Sequence, residues 1–449
     1  MTRKLATATV LLLLLVMAGA PAGANAASKD QAHSDLSSLP KIEAYLASIG
    51  IDLGSMVVQQ GQLNYAGPNC PGAGWNCTAA ANRVVQLGSA THPSTNVVDC
   101  SPTVSVTVLG LDECVIVQSS ALNLAETPTT LNSASCDIQS ASGDSKQKCK
   151  IKQSSKKGNN SAEVRQRSTQ RGGSPQTATL EASIEQMSES GNNTAKITQT
   201  IQQTLDDRQT AAVTQTQNAR QHATVQQTSM AGYNSSDLQQ YQYQDENAQS
   251  QASIDQQQNT DPTLTTQGRN LHAEVTQTST AAGNITSNLR QLITQNQNAD
   301  SPPGCILPCS VTQIQSHGAG GLEGHVTQTT AAPGVMRSTS AQDERQTQDA
   351  NTEGVLTQTQ EGPEFCCATQ TGGTPANVNT VDQSNVQQNN TGIGQSTQQT
   401  GKCSTTGGGN CTASQTYTSN SGTTQDSETA TAVSCDGSVE GNFCFPVGD

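Results

Sequence analysis

Between residues 184 and 228 the chain repeats one short pattern: an aliphatic residue, any residue, a glutamine, then a polar turn and the pattern again. Ile184 and Gln186, Ile197 and Gln199, Val213 and Gln215, and Val225 and Gln227 carry it at steps of 13, 16 and 12 residues. It begins upstream at Ile151 and Gln153, then Val164 and Gln166, and recurs with irregular spacing at Val275 and Gln277 and at Val326 and Gln328. In an extended strand alternate side chains share a face, so the aliphatic residue and the glutamine look one way and the flanking threonines the other. One unit cannot fold alone, because burying a valine contributes ~1.5–3 kcal/mol while ordering each residue costs ~1–2 kcal/mol. Stacked units can, if equivalent glutamines pair up the stack as an amide ladder. A buried amide left unpaired costs roughly 1–3 kcal/mol, so regular stacking is the condition for placing glutamine inside. The pattern therefore predicts an all-β, irregular β-solenoid of Gln/Thr-rich strand-turn repeats over residues 150–400. The competing expectation is a solvated, disordered low-complexity chain.

The flanks read differently. Residues 1–26 are predicted to be a secretory signal, with Arg3 and Lys4, an apolar run from Val10 to Val16 and Ala24-Asn25-Ala26 as the cleavage box. Residues 27–63 hold one helix, Ser38 to Gly50, with Pro40 in its first turn, an apolar stripe of Ile42, Tyr45, Leu46 and Ile49, and Gly50 as its stop. Such a stripe suits a cap on a solenoid end. Residues 64–149 form a Cys-rich β segment in which Val104 to Val108 alternates cleanly, and residues 401–449 a Cys-rich cap or tail. Gly/Pro/Asn segments such as Asp300 to Gly304 and Gly318 to Gly324 are expected as loops inserted between rungs.

Composition narrows the class. Hydrophobic residues make up 32% and aromatics 2%, which suits a thin solenoid interior better than a globular core. The formal charge is −14 and argues against binding along nucleic acid. Against that background Lys146 to Arg171 carries nine cations and one acid, Glu163. This basic stripe reads by default as a solvated face, and as a contact it suits an anionic surface polymer, lipid headgroups or the acidic body of another copy.

The fourteen cysteines of a secreted chain read as disulfides. Cys70, Cys77, Cys100, Cys114, Cys136 and Cys149 precede a long Cys-free region, and Cys305, Cys309, Cys366, Cys367, Cys403, Cys411, Cys435 and Cys444 follow it. Cys70 and Cys77 are spaced for a local staple around Trp75, whereas adjacent Cys366 and Cys367 point to opposite strand faces and are expected to have separate partners. No C-x-x-C occurs and the six histidines are scattered, so no metal site or cofactor is expected.

Two strings, Asn193-Thr194-Ala195-Lys196-Ile197-Thr198-Gln199 and Asn160-Ser161-Ala162-Glu163-Val164-Arg165-Gln166, resemble the curlin repeats of bacterial amyloid fibres. Asn193, Ala195 and Gln199, and their counterparts Asn160, Ala162 and Gln166, match the second half of that repeat. The first half departs, since Gly191 and Gly158 stand two residues before the Asn instead of three. The resemblance implies stacked strand-turn-strand units, a bacterial surface location and self-assembly.

No zinc-protease, nucleophile-elbow, phosphate-loop or EF-hand pattern is present, and adjacent Asp206 and Asp207 point apart on a strand. No enzyme is expected. The leading expectation is a secreted structural or adhesive surface protein. The alternatives are an ice-binding protein using outward Thr-x-Thr ranks, or a disordered extracellular filler stapled by disulfides.

Overall fold

A computed structural model describes residues 36, 38–79, 82–89, 91–101, 111–120, 130–141, 145–209, 212–250, 253–259, 271–280, 283–301, 310–316, 322–331, 334–352, 355–372, 376–389, 395–406, 410–419, 427–431 and 446–447. The signal segment, the strand expected at Val104 to Val108, and Cys305, Cys309, Cys435 and Cys444 lie outside these residues. The chain divides into two units, Met1–Leu53 and Gly54–Asp449. The first contains the expected helix, Leu39–Ser48, with Ile42 and Leu46 buried on its apolar stripe. Gly50 follows it with φ +74, a conformation that favours glycine.

The second unit is a β-solenoid in which every strand pairing is parallel. The chain crosses back and forth between two sheets, which we call A and B. On sheet A lie Leu111–Ser120, residues 145–157, Gln176–Ser190 and Val213–Ala231 in order. On sheet B lie Thr130–Ser140, residues 158–171, Asn193–Gln209 and Asn234–Ser250. One rung is one strand from each sheet. The 13-residue step from Gln153 to Gln166 is therefore the distance across a rung. The stacking partner is the next pattern but one: Gln153 pairs in register with Gln186, and Gln166 with Gln199. Consecutive patterns therefore face each other across a rung, and alternate ones stack. The Gln/Thr-rich residues described here are for the most part paired in strands.

The core is thin and mostly amide. On sheet A, Ile116, Ile151, Ile184, Val225, Val275 and Val326 form one buried column, and the glutamines two residues on form the next. Gln186 Nε2 donates to Gln153 Oε1 at 2.7 Å and to the Thr194 carbonyl on sheet B at 2.8 Å. Gln227 repeats both bonds one rung later, to Gln186 and to the Ser235 carbonyl. Each glutamine thus spends one N–H along the stack and the other across the core. The column runs from Gln59 through Gln86, Gln118, Gln153, Gln186, Gln227, Gln277 and Gln328 to Gln370 without a break. On sheet B, Gln166, Gln199, Gln240, Gln291, Gln342 and Gln383 form a second ladder.

Val213 and Gln215 depart from the expected order. They stack on Ile254 and Gln256, then on Val311 and Gln313, in a column of their own at the start of the widened sheet A strands. Val225 and Gln227 are the pair that sits over Ile184 and Gln186.

The turn from sheet A to sheet B has its own columns. Asn64, Asn96, Asn132, Asn160, Asn193 and Asn234 hydrogen-bond in series at 2.8–2.9 Å. Gly191 sits two residues before Asn193 with φ +144, and a Cβ there would lie 2.0 Å from the Gly158 carbonyl oxygen. Only glycine allows successive turns to approach this closely.

Three disulfides close the N-terminal rungs. Cys70–Cys77 is the expected staple, and Trp75 packs edge-on against Tyr65 with ring centroids 6.4 Å apart. The disulfide anchors the short strand Asn76–Thr78, which pairs with Leu63–Ala66 on sheet B. Cys100–Cys114 and Cys136–Cys149 each tie a sheet B strand to the sheet A strand of the next rung. Their register partners are each other's cysteines, so the two bridges stack. Cys403 is also disulfide-bonded. Cys366 and Cys367 do point to opposite faces, but both are free thiols, against the expectation of separate partners. Cys366 lies in the interior column of Cys114 and Cys149, continued through Ala182, Ala223, Ala273 and Gly324. The facing column of Cys136 has Ser340 at this level, and Cys366 Sγ donates to its Oγ at 2.9 Å.

Candidate functional site

Most inward-facing amides are committed to the ladders, whereas the outer faces present their side chains to solvent. On sheet A, four adjacent strands present equivalent segments: His222-Ala223-Thr224-Val225, His272-Ala273-Glu274-Val275, Glu323-Gly324-His325-Val326 and Phe365-Cys366-Cys367-Ala368. Alternation sends the first and third residue of each segment outward, and parallel register stacks them in two columns. His222, His272 and Glu323 form one column, and Glu274, His325 and Cys367 the other.

The side chains meet. The rings of His222 and His272 stack at 4.8 Å with 11° between their planes, and those of His272 and His325 lie 6.2 Å apart. The Glu323 carboxylate sits between two imidazoles, with Oε1 accepting from His325 Nε2 at 2.6 Å and Oε2 3.6 Å from His272 Nδ1. Hydrogen bonds to Cys367 and then Glu323 push His325 up to about 9, against the opposing effect of its burial. His272 and Glu323 are each only 8% exposed although they lie on an outer face. No known family matches this chain, whether it is compared with family models, curated proteins or solved structures.

Sequence reading missed this cluster because the histidines are 50 and 53 residues apart. Aligning the four strands on their shared Thr/Gln-Gln-Thr endings would have shown it.

Next to the cluster, on the same face, lies a shallow groove of about 280 Å³ lined by Lys148, Lys150, Glu181, Ser183, His222 and Thr224. It holds part of the expected basic stripe. The structure divides that stripe in two, because Ser145–Arg171 turns from sheet A to sheet B at Gly158. Lys146, Lys148, Lys150 and Lys152 register with sheet A strands, and Arg165 and Arg167 with sheet B strands. Part of the charge is met by the neighbouring rung, where Lys148 lies 3.8 Å from Glu181 and Lys152 pairs with Glu185, and part within the strand, where Glu163 accepts from Arg165 at 2.7 Å. Burial, and then the charge of Lys148, lowers the pKa of Lys150.

On the other side of the cluster, Thr276 and Thr278, Thr327 and Thr329, and Thr369 and Thr371 occupy two adjacent outward columns on three successive rungs. The sulfurs of Cys100, Cys114 and Cys136 also converge within 4.8 Å, but only because two disulfides stack there. Oxidised sulfur is no metal ligand of this kind.

Proposed function

We propose that this protein is a secreted structural or adhesive surface or matrix protein whose solenoid serves as a stiff display rod. The observation that carries this reading is the constancy of the ladder against changing rung length. From Gln166 to Gln199, Gln240 and Gln291 the sequence step grows from 33 to 41 to 51 residues, while the ladder bonds stay at 2.8–2.9 Å. A fold that absorbs added length at its periphery can vary its surface without disturbing its core. The curlin-like strings support a further step, assembly of copies through strand edges. The cations of sheet A beside Lys148 and Lys150 would contact an anionic polymer.

The test is sedimentation of the purified, oxidised full chain, alone over days and separately with isolated bacterial cell envelopes. Recovery in either pellet supports the reading. A chain that stays monomeric in the supernatant in both would discard it, and release from envelopes by salt would trace the contact to the cations.

A second reading, ice binding, is favoured by the stacked Thr-x-Thr ranks. Their sequence steps of 51 and 42 residues, irregular on paper, fall into register. Thermal hysteresis decides it: normal ice growth at high protein concentration ends this alternative.

A further inference from the structure

We infer that the groove on the outer face of sheet A binds one acidic sugar unit of a polysaccharide, its anionic group on Lys150 and Lys148 and its ring hydroxyls on Ser183, Thr224 and Glu181. This site rests on the surface-protein reading proposed above, which supplies the polymer.

Parallel register builds the groove from two outward columns. Lys148, Glu181 and His222 form one, and Lys150, Ser183 and Thr224 the other. Cys149, Ala182 and Ala223, between the columns, are buried on the inner side, which leaves backbone as the floor. Adjacent strands lie about 4.8 Å apart, so three rungs spread each column over roughly 10 Å.

The second column is uncommitted. Among the described residues Lys150, Ser183 and Thr224 make no hydrogen bond or ion pair, although all three are half-buried. Lys152, two residues further on, does pair with Glu185, and Lys148 reaches Glu181 only at 3.8 Å. A half-buried ammonium without a counter-ion favours an incoming anion. Burial and then the charge of Lys148 lower the pKa of Lys150, with Glu113 and Glu181 opposing, and an anion between the two lysines would relieve both causes.

The lining decides what carries the anion. A volume of about 280 Å³ holds one small unit, and no aliphatic side chain larger than alanine lines it, so a lipid chain would find no apolar wall. An acidic side chain of a peptide would meet the lysines and leave Glu181 facing it. A sugar ring serves all of them: Glu181 accepts from a ring hydroxyl, and Ser183 and Thr224 each donate or accept. Glu181 also limits the charge the groove takes, which selects a monoanionic unit, a uronate or a sulfated sugar, over a phosphate dianion.

The experiment titrates the oxidised full chain in a calorimeter with a galacturonate trimer and a sulfated galactose trimer, which tell carboxylate from sulfate. At least one should bind at one per chain, and neutral galactose trimer and free acetate should bind at least about tenfold more weakly. Lys150→Met should weaken binding by about 10–100-fold, the scale of a lost hydrogen bond to a charged group, and Lys150→Arg should restore part of it. Ser183→Ala should weaken it by about 3–10-fold without altering its salt dependence, which a purely ionic contact would not show. Lys196→Met, on sheet B, should leave it unchanged. Far-UV circular dichroism checks that the variants fold. Failure of both acidic trimers to bind, acetate binding as well as they do, or equal losses in Lys150→Met and Lys196→Met would each overturn the site. If a trimer binds but the chain stays out of the envelope pellet, the site stands and the surface reading falls; if the chain pellets with envelopes and neither trimer binds, the reverse holds.

Discussion

Gln186 and Gln153 lie 33 residues apart and are joined by a 2.7 Å hydrogen bond between fully buried amides. That bond is one link in a column, so its loss reaches both neighbours. In Gln186→Leu the carbonyl of Gln153 loses its donor and the amide of Gln227 loses its acceptor. Each buried polar group left unpaired costs roughly 1–3 kcal/mol, so the expected destabilisation is about 2–4 kcal/mol. Gln226→Leu, on the exposed side of the neighbouring sheet A strand Val213–Ala231, should stay within about 0.5 kcal/mol. Urea unfolding midpoints of the two variants check the contrast.

Cys366 and Ser340 face each other as Cys149 and Cys136, which are bridged, do five rungs earlier. Ser340→Cys should therefore oxidise spontaneously to a cross-link between positions 340 and 366. A loop of this length predicts a gain of about 3–4 kcal/mol, removable by reductant. In the parent, burial pushes the Cys366 thiol up to about 12. Mass-mapped alkylation of the native parent should thus modify Cys367 and spare Cys366 until the chain is unfolded.

What was legible in the sequence was local. Alternation put Ile184 and Gln186 on the inner face, Pro40 and Gly50 framed the helix, and the spacing of Cys70 and Cys77 gave a staple. What was not legible was register. A strand's partner is chosen by the interior column it completes, and insertions move that partner from 33 to 51 residues away, or to 57 for Gln256 and Gln313. The basic stripe looked continuous because nothing in its charges marks Gly158 as the turn. The cluster of His272, Glu323 and His325 was hidden for the same reason, since it exists only once the columns are known.

Glu246 occupies a glutamine's place in a ladder, between Leu205 and Gln297, and Gln297 Nε2 donates to its Oε2 at 2.9 Å. Burial raises its pKa well above the ordinary 4.5, with the Gln297 bond opposing and Asp255 and Asp245 adding to the rise. A folded-state pKa above the unfolded one means that the native state favours the proton. The stability that Glu246 contributes is therefore full below about pH 4 and falls as pH rises towards its folded pKa. Glu246→Gln should leave stability unchanged at pH 4 and raise it by about 1–3 kcal/mol at pH 7. Urea midpoints at the two pH values give the answer, and equal gains at both would show that the carboxyl is not the cause.

Gly191 and Gly172 separate two reasons for a glycine. Both have positive φ, +144 and +66, but a Cβ at Gly172 meets nothing within 4 Å whereas one at Gly191 would lie 2.0 Å from the Gly158 carbonyl oxygen. Gly172→Ala should cost only the backbone strain, about 1–3 kcal/mol. Gly191→Ala carries strain and also forces two rungs apart at the turn, where the Asn160 to Asn193 bond of 2.9 Å and the Ser188 bond to the Gly191 carbonyl depend on their spacing. It should be the more damaging by at least the roughly 1–3 kcal/mol of one unmade buried bond. The damage should also be local, because the Gln153 to Gln186 ladder bond lies several residues from the turn. Hydrogen exchange mapped by peptide would show it: faster exchange confined to residues 188–193 and 155–160 fits a turn held by close approach, whereas uniform acceleration along the whole stack would mean the rungs unfold as one block.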